Sequence, residues 1–186
     1  MSIRVIAGSA KGRKLKLVPG TGTRPIMDRV KEALFSILGA QVVESSFLDL
    51  YAGTGSVGIE ALSRGADFAR FVDNAYPAIK TIEANLELTQ LREFAEIKRQ
   101  DVLEYLSAPE PEGFEIVYVA PPQYQNLWLE TLQRLDQFPD HVAADGLVIV
   151  QIDPQEQQPV NLENLVAQQE RRYGNTLLWF FERPTN

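Results

Sequence analysis

From about Ser46 onward, apolar runs of five or six residues alternate with stretches in which apolar positions recur every three or four residues. The runs predict strands over 46–50, 68–72, 95–99, 114–119 and 147–151. The stretches between them predict helices over 56–64, 76–88 and 127–135; in the second, Ile79, Ile82 and Leu86 form the buried stripe, and Gly65 is placed to end the first. Strands that are apolar on both faces and separated by helices imply a parallel sheet covered on both sides, an α/β fold. The pattern then changes. Residues 168–173 and 176–182 flank Gly174-Asn175, a two-residue turn that predicts a closing antiparallel hairpin.

The first 44 residues read differently. Residues 3–7 and 14–18 surround the loop Gly8-Ser9-Ala10-Lys11-Gly12-Arg13 and predict a pair of strands. Val30, Ala33, Leu34, Ile37 and Leu38 recur at helical spacing, predicting a helix from about 28 to 38. Residues 1–44 are therefore expected to be an extension laid on a main domain of residues 45–186. No internal repeat or low-complexity tract is present.

A chain of 186 residues is long enough for one sizeable core and short for two. No apolar run approaches the roughly 20 residues of a membrane span, and the opening residues lack a signal-peptide core, so a cytoplasmic protein without membrane association is expected. The sequence has no cysteine and one histidine, His141. That excludes disulfides and thiolate chemistry and leaves little for a metal site or a histidine triad, so no metal is expected. His141 itself reads as a surface or loop residue. A monomer is the expected state.

The net charge of −7 runs against a nucleic-acid partner until its distribution is considered. Within residues 1–31, Arg4, Lys11, Arg13, Lys14, Lys16, Arg24, Arg29 and Lys31 face a single acid, Asp28. A local anion-binding patch on an acidic body would produce this segregation, and so would a solvated basic hairpin; charge alone does not choose. Under the first reading Lys11, Arg13, Lys14, Arg24 and Arg29 are the phosphate contacts.

Asp49-Leu50-Tyr51-Ala52-Gly53-Thr54-Gly55-Ser56-Val57-Gly58 joins the first main strand to the first main helix. Glycines at 53 and 55 let a ligand approach the backbone beside a helix N-terminus. The same spacing satisfies the dinucleotide fingerprint, so the neighbouring acids must decide. Asp49 at the strand end is a poor neighbour for a pyrophosphate and a good one for the cationic α-amino group of a methionine moiety. Asp73 ends the next strand, where a carboxylate can accept ribose hydroxyls, and Asp101 with Val102 follows the third, where an adenine would sit. One such acid alone would be an ordinary solvated loop residue; three at successive strand ends favour S-adenosylmethionine held by Asp49, Ala52, Gly53, Thr54, Gly55, Asp73, Asp101 and Val102.

Asp49 to Ala61 resembles the class I methyltransferase motif. Arg4-Val5-Ile6-Ala7-Gly8, Lys11-Gly12-Arg13, Thr23-Arg24-Pro25 and Asp28-Arg29-Val30-Lys31-Glu32-Ala33-Leu34-Phe35 are similar to the bacterial 16S rRNA guanine-N2 methyltransferase family called RsmD, over nearly the whole chain. The resemblance implies a seven-stranded Rossmann-like sheet with an inserted antiparallel last strand. It also implies a guanine of small-subunit rRNA as the methyl acceptor, presented on free rRNA or an assembling 30S particle.

One loop departs from that pattern. Enzymes of this kind that methylate an exocyclic amine carry Asp/Asn-Pro-Pro-aromatic after the fourth strand, because two acceptors on the amine hydrogens favour a pyramidal nitrogen whose lone pair faces the methyl group. Here the loop reads Ala120-Pro121-Pro122-Gln123-Tyr124. Ala120 occupies the acceptor position, and Gln123 separates the prolines from Tyr124. Three readings stay open: Gln123 supplies the acceptor, the backbone carbonyl suffices, or the chain binds cofactor and RNA as a non-catalytic assembly factor. A methyltransferase of another nucleic-acid or protein substrate is a further alternative. Tyr124 is expected either to stack on the target base or to pack on Trp128, and Trp179, Phe180 and Phe181 are read as core.

Overall fold

The structure, a computed structural model, describes residues 2–20 and 24–185. Thr21, Gly22 and Thr23, the last of which belongs to the N-terminal motif, lie outside the described residues. The chain forms two compact units, Met1–Gln100 and Asp101–Asn186.

The first unit contains β1 (Ile3–Arg4), β2 (Lys14–Leu15), α1 (Asp28–Leu38), β3 (Ser46–Leu50), α2 (Ser56–Ser63), β4 (Phe68–Asp73), α3 (Tyr76–Thr89) and β5 (Ala95–Arg99). Strands run in the order β5-β4-β3, all parallel, with Asp49 opposite Phe71 and Phe71 opposite Ile97. Phe47, Leu48, Leu50, Phe71 and Val72 are fully enclosed, because in a parallel sheet both strand faces are covered.

The second unit contains α4 (Val102–Ser107), β6 (Phe114–Val119), α5 (Leu127–Gln137), β7 (Val142–Ile152), β8 (Val166–Tyr173) and β9 (Thr176–Glu182). Its order is β6-β7-β9-β8: β6 and β7 are parallel, and β9 runs antiparallel between β7 and β8. The turn at Gly174 (φ 58°) sets Tyr173 opposite Thr176, the hairpin the dipeptide predicts. Trp179, Phe180 and Phe181 on β9 are buried, as expected.

The main differences from the sequence reading lie in four elements. β1 and β2 are two residues each rather than five, because side chains take over the ladder. The Ile6 and Ala7 N–H groups donate to the Glu60 carboxylate at 2.9 and 3.1 Å, and the Lys16 N–H donates to Asn85 Oδ1 at 2.7 Å. Helix α4 is absent from the sequence reading; at six residues it is too short to establish a period, and its start is marked only by Asp101, whose side chain accepts the Glu104 N–H at 3.0 Å. β7 begins at Val142, not 147, since Asp145 (φ 62°) and Gly146 interrupt the apolar pattern without ending the strand.

His141 is a further correction. It is 1% exposed, in a 3-10 turn over Pro139–His141, with Nε2 at 3.1 Å from the Leu106 carbonyl and 2.9 Å from that of Ala108. A lone imidazole inside this unit bridges the end of α4 to the start of β7, which a one-dimensional pattern does not disclose.

Candidate functional site

In the first unit the β3–α2 loop is held by two carboxylates. Asp49, on β3 but only 2% exposed, turns inward so that Oδ2 accepts the Gly58 N–H at 3.0 Å, within the first turn of α2. Gly58 permits this approach: a Cβ there would lie 2.4 Å from the Phe71 ring and 3.1 Å from Asp49 Oδ2. Burial pushes the Asp49 carboxyl up to about 8; the Gly58 N–H pulls it down, and the charge of Asp73 adds to the rise. Asp73, half-buried at the end of β4, accepts the Gly53 N–H on Oδ2 and the Ala75 N–H on Oδ1, each at 2.9 Å. Ala52 donates to the Val72 carbonyl at 3.1 Å, and Gly55 to that of Ala52 at 2.8 Å. Asp49, Ala52, Gly53, Thr54, Gly55 and Asp73 are thus brought together around one loop.

The loop leaves room for a ligand. Gly53 (φ 58°) has only the Tyr51 carbonyl, at 4.0 Å, near its missing Cβ. A carboxylate has about four acceptor positions, so Asp73 keeps capacity beyond its two backbone donors.

Further polar residues, which the sequence reading does not assign to the site, shape this loop. Asn85, fully buried on α3, donates from Nδ2 to the Thr54 carbonyl at 2.9 Å and to the Lys16 carbonyl at 3.1 Å. Lys31 reaches from α1 to the Arg4 carbonyl (2.7 Å), Ser56 Oγ (3.1 Å) and Glu60 Oε1 (3.3 Å), and Glu60 also pairs with Arg64 at 2.8 Å. Burial holds the Lys31 ammonium below its usual pKa against the opposing pull of Glu60. A signal for both residues exists in the helical phase: Lys31 lies three and four positions before Leu34 and Phe35, and Asn85 three after Ile82, so each occupies an apolar position.

The basic segment is displayed on the same unit. Lys11, Arg13, Lys14, Arg24 and Arg29 are all exposed, the first three around the turn between β1 and β2. Lys31, part of the same charge excess, is withdrawn into the interior, and Arg4 pairs with Asp28 at 3.1 Å.

In the second unit Asp101 is the exposed N-cap of α4 and Val102 its buried first residue. The loop after β6 carries Ala120, Pro121, Pro122, Gln123 and Tyr124. Ala120 and Pro121 are half-buried, while Pro122, Gln123 and Tyr124 are exposed. Tyr124 is 63% exposed, and Trp128 is enclosed with its ring centroid 6.0 Å from that of Trp179. The Tyr124 hydroxyl donates to Asp153 Oδ2 at 2.6 Å, and its N–H donates to Glu156 Oε1 at 2.7 Å. The hydrogen bond raises the phenol pKa and, together with the Gln155 N–H, lowers that of Asp153.

Among the described residues no group of three or more His, Cys, Asp or Glu side chains could hold a metal ion, and no helix is long and apolar enough to cross a membrane.

A mostly parallel seven-stranded sheet flanked by helices, a glycine loop after its first main strand and an inserted antiparallel last strand define the Rossmann-like class I methyltransferase fold. The profile of the family described as Conserved hypothetical protein 95 matches residues 3–182. YlbH of Bacillus subtilis, provisionally named an rRNA methyltransferase, is 37% identical over 176 residues, 94% of this chain and 95% of that protein. Ribosomal RNA small subunit methyltransferase D of Escherichia coli K12 is 30% identical over 181 residues, 97% of this chain and 90% of that protein. The solved structure of yhhF from Escherichia coli, provisionally named a methyltransferase, superposes with a TM-score of 0.87 at 30% identity, covering 99% of each chain. The chain belongs to the Conserved hypothetical protein 95 family, that of RsmD.

Proposed function

We propose that this protein transfers a methyl group from S-adenosylmethionine to the exocyclic N2 of a guanine in 16S rRNA of the small ribosomal subunit. We further propose that it acts in the cytoplasm as a monomer, on free rRNA or an assembling 30S particle. The observation that carries the reading is the β3–α2 loop: Gly53 is open above its Cα, fixed by Asp73, and followed directly by a helix N-terminus. The names of the relatives support rRNA as the acceptor class, and the N-terminal motif from Arg4 to Phe35 supports guanine N2 by resemblance.

In this reading Asp49, Ala52, Gly53, Thr54, Gly55 and Asp73 hold the methionine and ribose parts of the cofactor, and Asp101 and Val102 its adenine. S-adenosylmethionine, when bound, supplies a methyl carbon to which the amine nitrogen bonds as the C–S bond breaks, the displaced proton passing to water. The chain's own contribution is orientation: the Pro121-Pro122 backbone offers an acceptor to one amine hydrogen, and the exposed Tyr124 ring offers a face to the base. Lys11, Arg13, Lys14, Arg24 and Arg29 hold RNA phosphates. Functionally, residues 1–44 serve RNA binding and residues 45–186 methyl transfer, a division that differs from that of the compact units.

The test is incubation with labelled S-adenosylmethionine and small-subunit particles that lack the modification, with mapping of the methylated base. Label on N2 of one guanine is expected. Label on another base or on protein overturns the acceptor assignment. Ala120 favours a second reading, a cofactor- and RNA-binding assembly factor, which predicts binding of both with no transfer.

A further inference from the structure

We propose that Asp153 and Glu156, which follow β7, are positioning residues that hold Tyr124 as a fixed platform in the acceptor loop. The proposal rests on the methyltransferase reading above and adds two carboxylates that the loop motif does not contain.

Tyr124, 63% exposed, gets little from packing to fix it. Tyr124 (φ 61°) and Asn126 (φ 57°) both adopt the left-handed region, sparsely populated by residues other than glycine, within three residues of each other. What fixes Tyr124 is a two-point hold: its hydroxyl on Asp153 Oδ2 at 2.6 Å sets the ring, and its N–H on Glu156 Oε1 at 2.7 Å sets the backbone. Both carboxylates are fixed in turn. Asp153 Oδ1 accepts the Gln155 N–H at 2.9 Å, and Glu156 Oε2 accepts the Asp153 N–H at 3.3 Å, a reciprocal capping box with Pro154 at its first position. Each carboxylate therefore gives one oxygen to its own turn and one to Tyr124.

This arrangement answers the departure in the loop. With Gln123 inserted between the prolines and the aromatic residue, the prolines alone cannot dictate where the ring lies. The hold from 153–156 restores a defined orientation with the ring face left open, as stacking of an extruded base requires. Charge-assisted hydrogen bonds at both ends suit that task, because they fix direction as well as distance.

Two measurements test it on the full chain. In single-turnover methylation of unmodified small-subunit particles, Asp153→Ala should slow transfer by about 10- to 100-fold through misplacement of the loop. Its affinity for S-adenosylhomocysteine should be unchanged. Asp153→Asn, which can still cap Gln155 and donate to the tyrosine oxygen, should stay within about threefold of wild type. Tyr124→Phe combined with Asp153→Ala should be no slower than Asp153→Ala alone, since both remove one bond. Wild-type rate in Asp153→Ala, or multiplicative losses in the double variant, overturns the proposal. Amide hydrogen exchange over residues 123–126 reads the hold without substrate: faster exchange in Asp153→Ala is expected and unchanged exchange refutes it. A wild-type protein that transfers nothing, with exchange behaving as expected, defeats the methyltransferase reading and leaves the hold standing.

Discussion

Lys31 and Glu60 form an ion pair at 3.3 Å with side chains 1% and 0% exposed. Two charges enclosed in this way are worth little net stability as a pair, but removing one strands the other. The pair ties three segments together: Lys31 also holds the Arg4 carbonyl and Ser56 Oγ, and Glu60 holds the Ile6 and Ala7 N–H groups and Arg64. Lys31→Met should cost about 3 kcal/mol, the low end for a broken buried pair, because Glu60 retains Arg64 and two backbone donors. Glu60→Gln should cost more, because the buried Lys31 ammonium then lacks the carboxylate that faces it. Urea denaturation of the two variants checks the order; the reverse ranking would show that desolvation of the ammonium does not set the cost.

Asp49 gives stability a pH dependence of unusual sign for an aspartate. Its folded pKa, about 8, is above the usual 3.8, so the unfolded chain ionises first. The stabilisation is fully present below about 3.8 and is lost as pH rises toward about 8. Asp49→Asn keeps an acceptor for Gly58 and does not ionise. Its stability should therefore gain steadily on that of wild type between those limits, as read by denaturant midpoints at a series of pH values. A cationic α-amino group placed beside Asp49 would favour the carboxylate, so binding of S-adenosylhomocysteine near neutral pH should release a proton. Calorimetric heats should differ between phosphate and Tris for wild type and agree for Asp49→Asn.

The parts of the molecule legible in the sequence are those where one local pattern decides. Strands β3 and β6 stand out as apolar runs because both faces are largely buried, and Gly174-Asn175 marks the last turn unaided. The glycine loop and Asp73 are legible as neighbours because a βαβ connection leaves them no other arrangement. What the sequence hides is what depends on partners distant along the chain. The helical phase marks Lys31 and Asn85 as buried, but what they and Glu60 hold appears only once α1, α2 and α3 are packed, and β1 and β2 stop short because those same side chains claim the backbone. Asp153 and Glu156 lie some thirty residues beyond Tyr124 and carry no motif; only the meeting of two loops reveals them.

The exposed basic segment predicts a salt-sensitive RNA interaction. Neutralising Lys11 and Arg13, or Lys14 and Arg24, should weaken binding to small-subunit rRNA and reduce the slope of log affinity against log salt by about 1 for each phosphate no longer neutralised. Filter binding across a salt series measures it. An unchanged slope would leave these residues as a solubilising face on an acidic protein.

The acceptor loop yields the sharpest prediction, because Ala120 removes a hydrogen bond that the chemistry calls for. An acceptor that strengthens its bond as the amine becomes pyramidal contributes about 1.5–3 kcal/mol, or roughly 10- to 150-fold in rate. The wild-type chain should therefore transfer methyl groups slowly, and Ala120→Asp or Ala120→Asn should raise the single-turnover rate with cofactor affinity unchanged. That outcome requires that Pro121 and Pro122 keep the backbone where the side chain can reach the amine. Tyr124, held by Asp153 and Glu156, supplies the rest of the geometry. If the loop is instead built around Gln123, which is exposed and adjacent to the prolines, the Ala120 variants should be neutral or slower and Gln123→Ala should be the damaging change. Single-turnover measurement is needed because it isolates the chemical step from product release. No transfer by wild type or by either Ala120 variant, with cofactor and RNA both bound, would remove the enzyme reading and establish the binding factor in its place.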